Sequence, residues 1–85
     1  MRRKEKWFVY ILQCSDNTLY TGITNDVKAR ISKHNSGKGA KYTRGRTPVV
    51  LKRIFKYKNR SEASKAEYAL KKLSRARKLK LIFRL

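Results

Sequence analysis

Two runs of β-branched, aromatic and aliphatic residues, Trp7-Phe8-Val9-Tyr10-Ile11-Leu12 and Leu19-Tyr20-Thr21-Gly22-Ile23, flank the turn-forming Ser15-Asp16-Asn17-Thr18. Strand-prone segments joined by so short a polar link predict an antiparallel hairpin over about residues 7 to 13 and 19 to 24. Helix-start chemistry follows at once. Thr24, Asn25 and Asp26 offer side-chain acceptors to the free N–H groups of a first turn, and the Asp26 charge suits the helix dipole. The helix should run to about Asn35, with Gly37 ending it. Val27 and Ile31 give its apolar stripe, and Arg30 and His34 lie beside that stripe at the same four-residue spacing. A hairpin feeding directly into a helix therefore brings Tyr10, Tyr20, Arg30 and His34 towards one small surface. Each residue alone is ordinary, since a strand tyrosine commonly packs with its hydroxyl in water. Together, two phenols, a guanidinium and an imidazole suit chemistry on a phosphate.

The charge points to the same kind of partner. Lys and Arg number 24 against 5 acidic residues, a formal net charge of +19 on 85 residues. A generically basic, soluble surface needs far less, so a polyanion is expected, with nucleic acid first. The length predicts a single domain over residues 1–85 with a small core. The partly apolar Leu79-Lys80-Leu81-Ile82-Phe83-Arg84-Leu85 is too short to span a bilayer. Behind Arg2, Arg3 and Lys4 come Glu5 and Lys6 rather than an apolar signal core, so a cytoplasmic location without membrane attachment is expected. Cys14 is the single cysteine, which excludes an internal disulfide and a thiolate zinc cluster, and it reads as a buried or half-buried strand residue.

Residues 36 to 47 hold three of the four glycines and no acidic residue, and read as a flexible basic loop. Lys38, Lys41, Arg44 and Arg46 interleave there with Tyr42, a pattern that fits backbone contact plus stacking on an unpaired base. A solvated basic loop would look the same. After Pro48, Val49 to Tyr57 reads as a third strand. Asn59 or Ser61 should cap a second helix starting near Glu62, with Ala63, Ala66, Leu70 and Leu73 at helical spacing. Glu67 falls on that stripe. A buried carboxylate needs a cation, and the choice is between Lys71 at i+4 and a divalent metal. The tail from Ser74 fits a short helix with Leu79 and Ile82 turned inward, though Leu79 and Leu81 alternate as a strand would. The cations Lys71, Lys72, Arg75, Arg77 and Lys78 read as nonspecific attraction.

The pattern resembles the GIY-YIG nuclease superfamily, and more closely its small stand-alone members. Phe8-Val9-Tyr10 stands for the first motif and Tyr20-Thr21-Gly22 for the second, with nine residues between the tyrosines. The helix Lys28 to Asn35, the loop Gly37 to Thr43 and Glu67 extend the likeness over nearly the whole chain. Phe8 and Val9 replace the Gly and Ile of the first motif, and no Asn follows Glu67 as in some relatives. The resemblance implies that both tyrosines, Arg30 and His34 surround the cut and that Glu67 holds the metal. One carboxylate, completed by water and substrate oxygens, suits Mg²⁺. In such a site Tyr10 and Tyr20 orient or deprotonate the attacking water, Arg30 clamps the scissile phosphate, and His34 assists proton transfer or binds phosphate. Gly22 either lets Tyr20 and a phosphate approach the backbone or marks a strand bulge.

The expected protein is thus an α+β domain, a three-stranded antiparallel sheet flanked by helices, acting as a monomeric Mg²⁺-dependent endonuclease on DNA in repair or processing. With no attached recognition domain, selectivity would come from DNA structure or from a protein partner. The rival is a DNA- or RNA-binding module that keeps the fold and cuts little.

Overall fold

The structure is a computed structural model that describes residues 6–83. Strand β1 (Trp7–Gln13) pairs antiparallel with β2 (Leu19–Thr24) on one side and β3 (Val50–Tyr57) on the other, giving the order β2-β1-β3. The hairpin link is closed by Asp16, whose carboxylate accepts from the Thr18 amide and hydroxyl at 3.1 and 2.6 Å, while Asn17 takes the left-handed conformation at φ 70°. Because β1 is central it is covered on both faces, and Val9, Tyr10, Ile11 and Leu12 are all buried. Removal of such side chains from water contributes about 1.5–3 kcal/mol each, which is the main term holding a sheet this small together.

Alternation along β1 splits these residues between two layers. Tyr10 and Leu12 face α1 (Val27–Asn35) and the segment that follows it, in a cluster with Cys14, Val49, Ile31, Tyr20 and Leu51. Val9 and Ile11 face the other way, as do their partners Phe55 and Arg53. Onto that second face pack α2 (Arg60–Lys71), through buried Ala63 and through Ala66 and Leu70 beside Phe55 and Tyr57, and α3 (Arg75–Ile82), where Arg53 Nη1 donates to the Leu81 carbonyl at 3.1 Å. This is the expected α+β architecture. A bulge at Lys52 shifts the β1–β3 register between Ile11 and Leu12.

The helix ends follow local side-chain chemistry. Asp26 caps α1 by accepting from Ala29 N at 3.1 Å, and Gly37 at φ 83° stops it as Lys38 N reaches back to the Lys33 carbonyl. Asn59 rather than Ser61 caps α2, accepting from Glu62 N at 2.9 Å, so that helix starts two residues earlier than expected. Ser74 caps α3, a helix and not a strand, with Leu79 and Ile82 half-buried.

The segment between α1 and β3 differs from the flexible loop expected. A short 3₁₀ turn, Lys41–Thr43, interrupts it, and its backbone is tied at several points. Asn35 clamps Val49, accepting from its amide at 2.7 Å and donating to its carbonyl at 3.3 Å. Ser15 N donates to the Arg46 carbonyl at 2.7 Å, and Arg46 also pairs with Asp16 at 3.7 Å. Glycine content suggested freedom, but these polar contacts fix the path.

Candidate active site

The first tyrosine sits on the buried side of the site. Tyr10 lies opposite Gly22 in the β1–β2 ladder, and a Cβ on Gly22 would stand 2.5 Å from the Tyr10 hydroxyl and 3.1 Å from the Tyr20 ring. Gly22 is therefore required by space rather than by backbone conformation. It leaves the slot that the Tyr10 phenol fills. The phenol then meets His34, the one residue of α1 that is fully buried, with 3.0 Å between Oη and Nε2.

His34 is held from behind by the segment after α1. Its Nδ1 lies 2.8 Å from Thr43 Oγ1, and that hydroxyl donates to the Ala40 carbonyl at 2.9 Å. With its own proton committed, Thr43 is an acceptor towards His34, so Nδ1 carries the imidazole proton. The Ala40 amide, 3.4 Å from Nδ1, would ask for the opposite tautomer, but it is the longest of these contacts and yields to the shorter two. Nε2 thus presents a lone pair, and Tyr10 donates to it. Gly39 completes the enclosure: a Cβ there would stand 2.8 Å from His34 Cα and Cγ and run into Nδ1. Burial, and then the positive charge of Arg30, hold the His34 pKa below its ordinary 6.5, so the ring is neutral at pH 7.

Arg30, one turn before His34, is half-buried and borders an open cleft beside Asp26, Ala29 and Lys33. Its guanidinium stands by both phenols. The interaction with the Tyr10 hydroxyl, followed by the charges and hydroxyl of the tyrosines, raises its pKa against the opposing effect of burial. Tyr10 is shifted up from 10.0, first by burial, with Arg30 opposing and the Tyr20 and Glu67 charges adding to the rise. Tyr10 therefore remains a protonated phenol. Tyr20 is only half-buried, with ring centroids 6.3 Å from Tyr10 and 5.3 Å from His34.

The structure brings together Tyr10, Tyr20, Arg30, His34 and Gly22. Glu67 reaches them electrostatically through its effect on Tyr10. It lies on the α2 stripe, half-buried like Ala66 and Leu70, its side chain 22% exposed, with Lys71 Nζ at 3.2 Å from Oε2. Among the described residues no three His, Cys, Asp or Glu side chains gather into a metal cluster. Glu67 is nonetheless a hard oxygen donor with one carboxylate oxygen outside that ion pair, which fits a cation that keeps most of its water. Of the loop residues, Lys38, Lys41 and Arg44 are exposed. Tyr42 stacks on Tyr20 at 5.7 Å and 28°, and the Arg46 guanidinium covers it at 4.3 Å.

Residues 6–80 match the profile of the GIY-YIG catalytic domain. The chain belongs to the GIY-YIG domain family. Its curated relatives include the UPF0213 proteins of Halobacterium salinarum, 56% identical with 82% of this chain and 91% of that one covered, and of Staphylococcus haemolyticus, 54% identical with 91% and 94% covered. Among solved structures it is similar to the solution structure of a UPF0213 protein from Bacillus halodurans, with 51% identity, TM-score 0.59 and 91% and 82% coverage. A second, from E. faecalis, gives 45% identity, TM-score 0.61 and 92% and 83% coverage. The family is one of nucleases, and the two motif tyrosines are the pair that meets at His34 and Arg30.

Gly39, Thr43 and Asn35 escaped sequence reasoning. The one available signal was Gly39 itself, a second glycine two residues after the helix stop Gly37, with no turn of its own to make.

Proposed function

We propose that this GIY-YIG domain is a metal-dependent endonuclease that hydrolyses DNA phosphodiester bonds, with branched or flapped DNA in repair or processing as its substrate. The observation that supports this most is the packing of two phenols around a guanidinium that no carboxylate among the described residues neutralises. Arg30 clamps the scissile phosphate and stabilises the charge that gathers on its oxygens. Tyr20, the more exposed phenol, orients the attacking water by accepting its hydrogen bond. Tyr10 acts through Arg30: its proton is held by His34 Nε2, leaving its oxygen to receive the guanidinium. Glu67 would hold Mg²⁺, which when bound neutralises phosphate charge and activates water. Lys38, Lys41 and Arg44 add backbone attraction.

The Glu67–Lys71 ion pair supports a second reading, a DNA- or RNA-binding module with little cutting. Glu67→Gln separates the two, with melting, DNA binding and Mg²⁺-dependent cutting of branched, flapped, single-stranded and duplex DNA compared with wild type. The enzyme reading expects an intact fold, DNA binding at least as strong, and cutting reduced by orders of magnitude. Undiminished cutting refutes the metal site, and no cutting by wild type on any substrate favours the binding module.

A further inference from the structure

Beyond Tyr20 the surface continues into a cleft of about 230 Å³ that neither the motifs nor the family match assigns. It is lined by Thr18 and Leu19 at the end of the hairpin, by Arg75 and Lys78 of α3, and by Tyr42. Three features make it more than a basic patch. Tyr42 is stacked directly on Tyr20, so the cleft begins one aromatic ring from the site of cutting. Arg75 and Lys78 are three apart on one helix and present their charges to the same opening. Asp16 fixes the hairpin wall through Thr18 and, by pairing with Arg46, holds the guanidinium that lies over the Tyr42 ring.

We infer that this cleft is a subsite for the unpaired strand next to the scissile phosphate, with Arg75 and Lys78 gripping its backbone. It deepens the DNA-cutting reading and rests on it. The volume falls below that of ordinary small-molecule pockets and is far too small for a duplex, whose major groove alone is about 12 Å wide. It fits a short piece of one strand. Tyr42 packs against Tyr20 and Arg46 yet keeps 42% of its surface exposed, so the strand is held chiefly by charge at the rim, with the exposed part of that ring beside it. Cations on α3 that look like nonspecific attraction in the sequence therefore divide in two. Arg75 and Lys78 face this cleft, whereas Arg77 and Lys80 line a different one with Leu73 and Leu81.

That division supplies the control. Arg75→Gln with Lys78→Gln and Arg77→Gln with Lys80→Gln remove the same charge from the same helix. Binding of the full chain to a labelled duplex bearing a single-stranded thymidine flap, and to the same duplex without it, is measured in chelator so that cutting does not enter. The first pair should weaken flap binding about tenfold more than the second, the scale of one charge-assisted contact, while the blunt duplex distinguishes them little. Equal losses on the flap would overturn the subsite and leave the nuclease reading standing. Absence of any DNA binding by wild type would overturn both. Circular dichroism melting of each variant establishes that α3 remains folded, and Arg75→Lys, which keeps the charge, should recover most of the flap preference.

Discussion

Gly39→Ala tests whether the segment after α1 builds the site from behind. The new methyl would stand 2.8 Å from both Cα and Cγ of His34 and collide with Nδ1. One of these atoms is backbone and the others belong to a fully buried ring, so none can swing aside as a surface side chain would. Overpacking of this kind costs about 1–3 kcal/mol, against a gain of about 0.4–1 kcal/mol from restricting the unfolded chain. The net loss, up to about 2.6 kcal/mol, lowers Tm by roughly 4–8 °C per kcal/mol for a domain of this size. Displacement of the ring should also break its contacts with Thr43 at 2.8 Å and Tyr10 at 3.0 Å. Calorimetry reads the first effect, and ¹⁵N spectra of the imidazole read the second as a change from the Nδ1-protonated tautomer. An unchanged Tm with an unchanged imidazole spectrum would show that the chain does not cross His34 at Gly39.

Other expected outcomes follow from the same geometry. Arg30→Lys keeps the charge and loses the planar fork; DNA binding should stay near wild type while cutting slows by about tenfold or more, and an equal loss of both would make Arg30 an ordinary backbone contact. Thr21 has a buried hydroxyl without a partner among the described residues, so Thr21→Val should raise stability by roughly 1 kcal/mol or more, and a lower Tm would contradict that. His34 titrates below 6.5 in the fold, so the unfolded chain binds the extra proton first. Stability should be full above pH 6.5 and fall with acid, by at most about 1.4 kcal/mol per pH unit, until the folded ring also protonates; His34→Gln should flatten that slope in denaturant titrations. Asp16 is held below its usual 3.8 by Thr18 and then Arg46, so its contribution is present above that value and lost below it, which Asp16→Asn melting at pH 3 and pH 6 would reveal.

The hairpin, its boundaries and the helix after it were legible because each is written in local chemistry: alternating strand residues, an Asp-Asn turn, an Asp cap and a stopping glycine. The meeting of Tyr10, Tyr20, Arg30 and His34 was legible for the same reason, since two adjacent strands and the next helix have few ways to pack. What lay beyond reach were contacts between residues whose types carry no strong signal. Thr43 is a polar loop residue until its hydroxyl is spent on Ala40 and it becomes the group that sets the His34 tautomer. Asn35 is a helix-end residue until it clamps Val49.

The use of phenols around Arg30 has an electrostatic consequence. A carboxylate would hold a guanidinium more firmly, but it would cancel the charge and repel an arriving phosphate. Tyr10 meets the cation as a neutral acceptor, and its raised pKa keeps it so. The cost is that a phenol is easily reoriented, and this is where the surrounding residues enter: Gly22 shapes the slot for Tyr10, Nε2 of His34 accepts its hydrogen bond, and Thr43 and Gly39 hold the ring that does so. Behind half-buried Arg30, the side chains of Tyr10, His34 and Thr43 are all buried and neutral. Among the described residues no carboxylate pairs with Arg30, and on the proposed reading its charge is left to act on a substrate's phosphate.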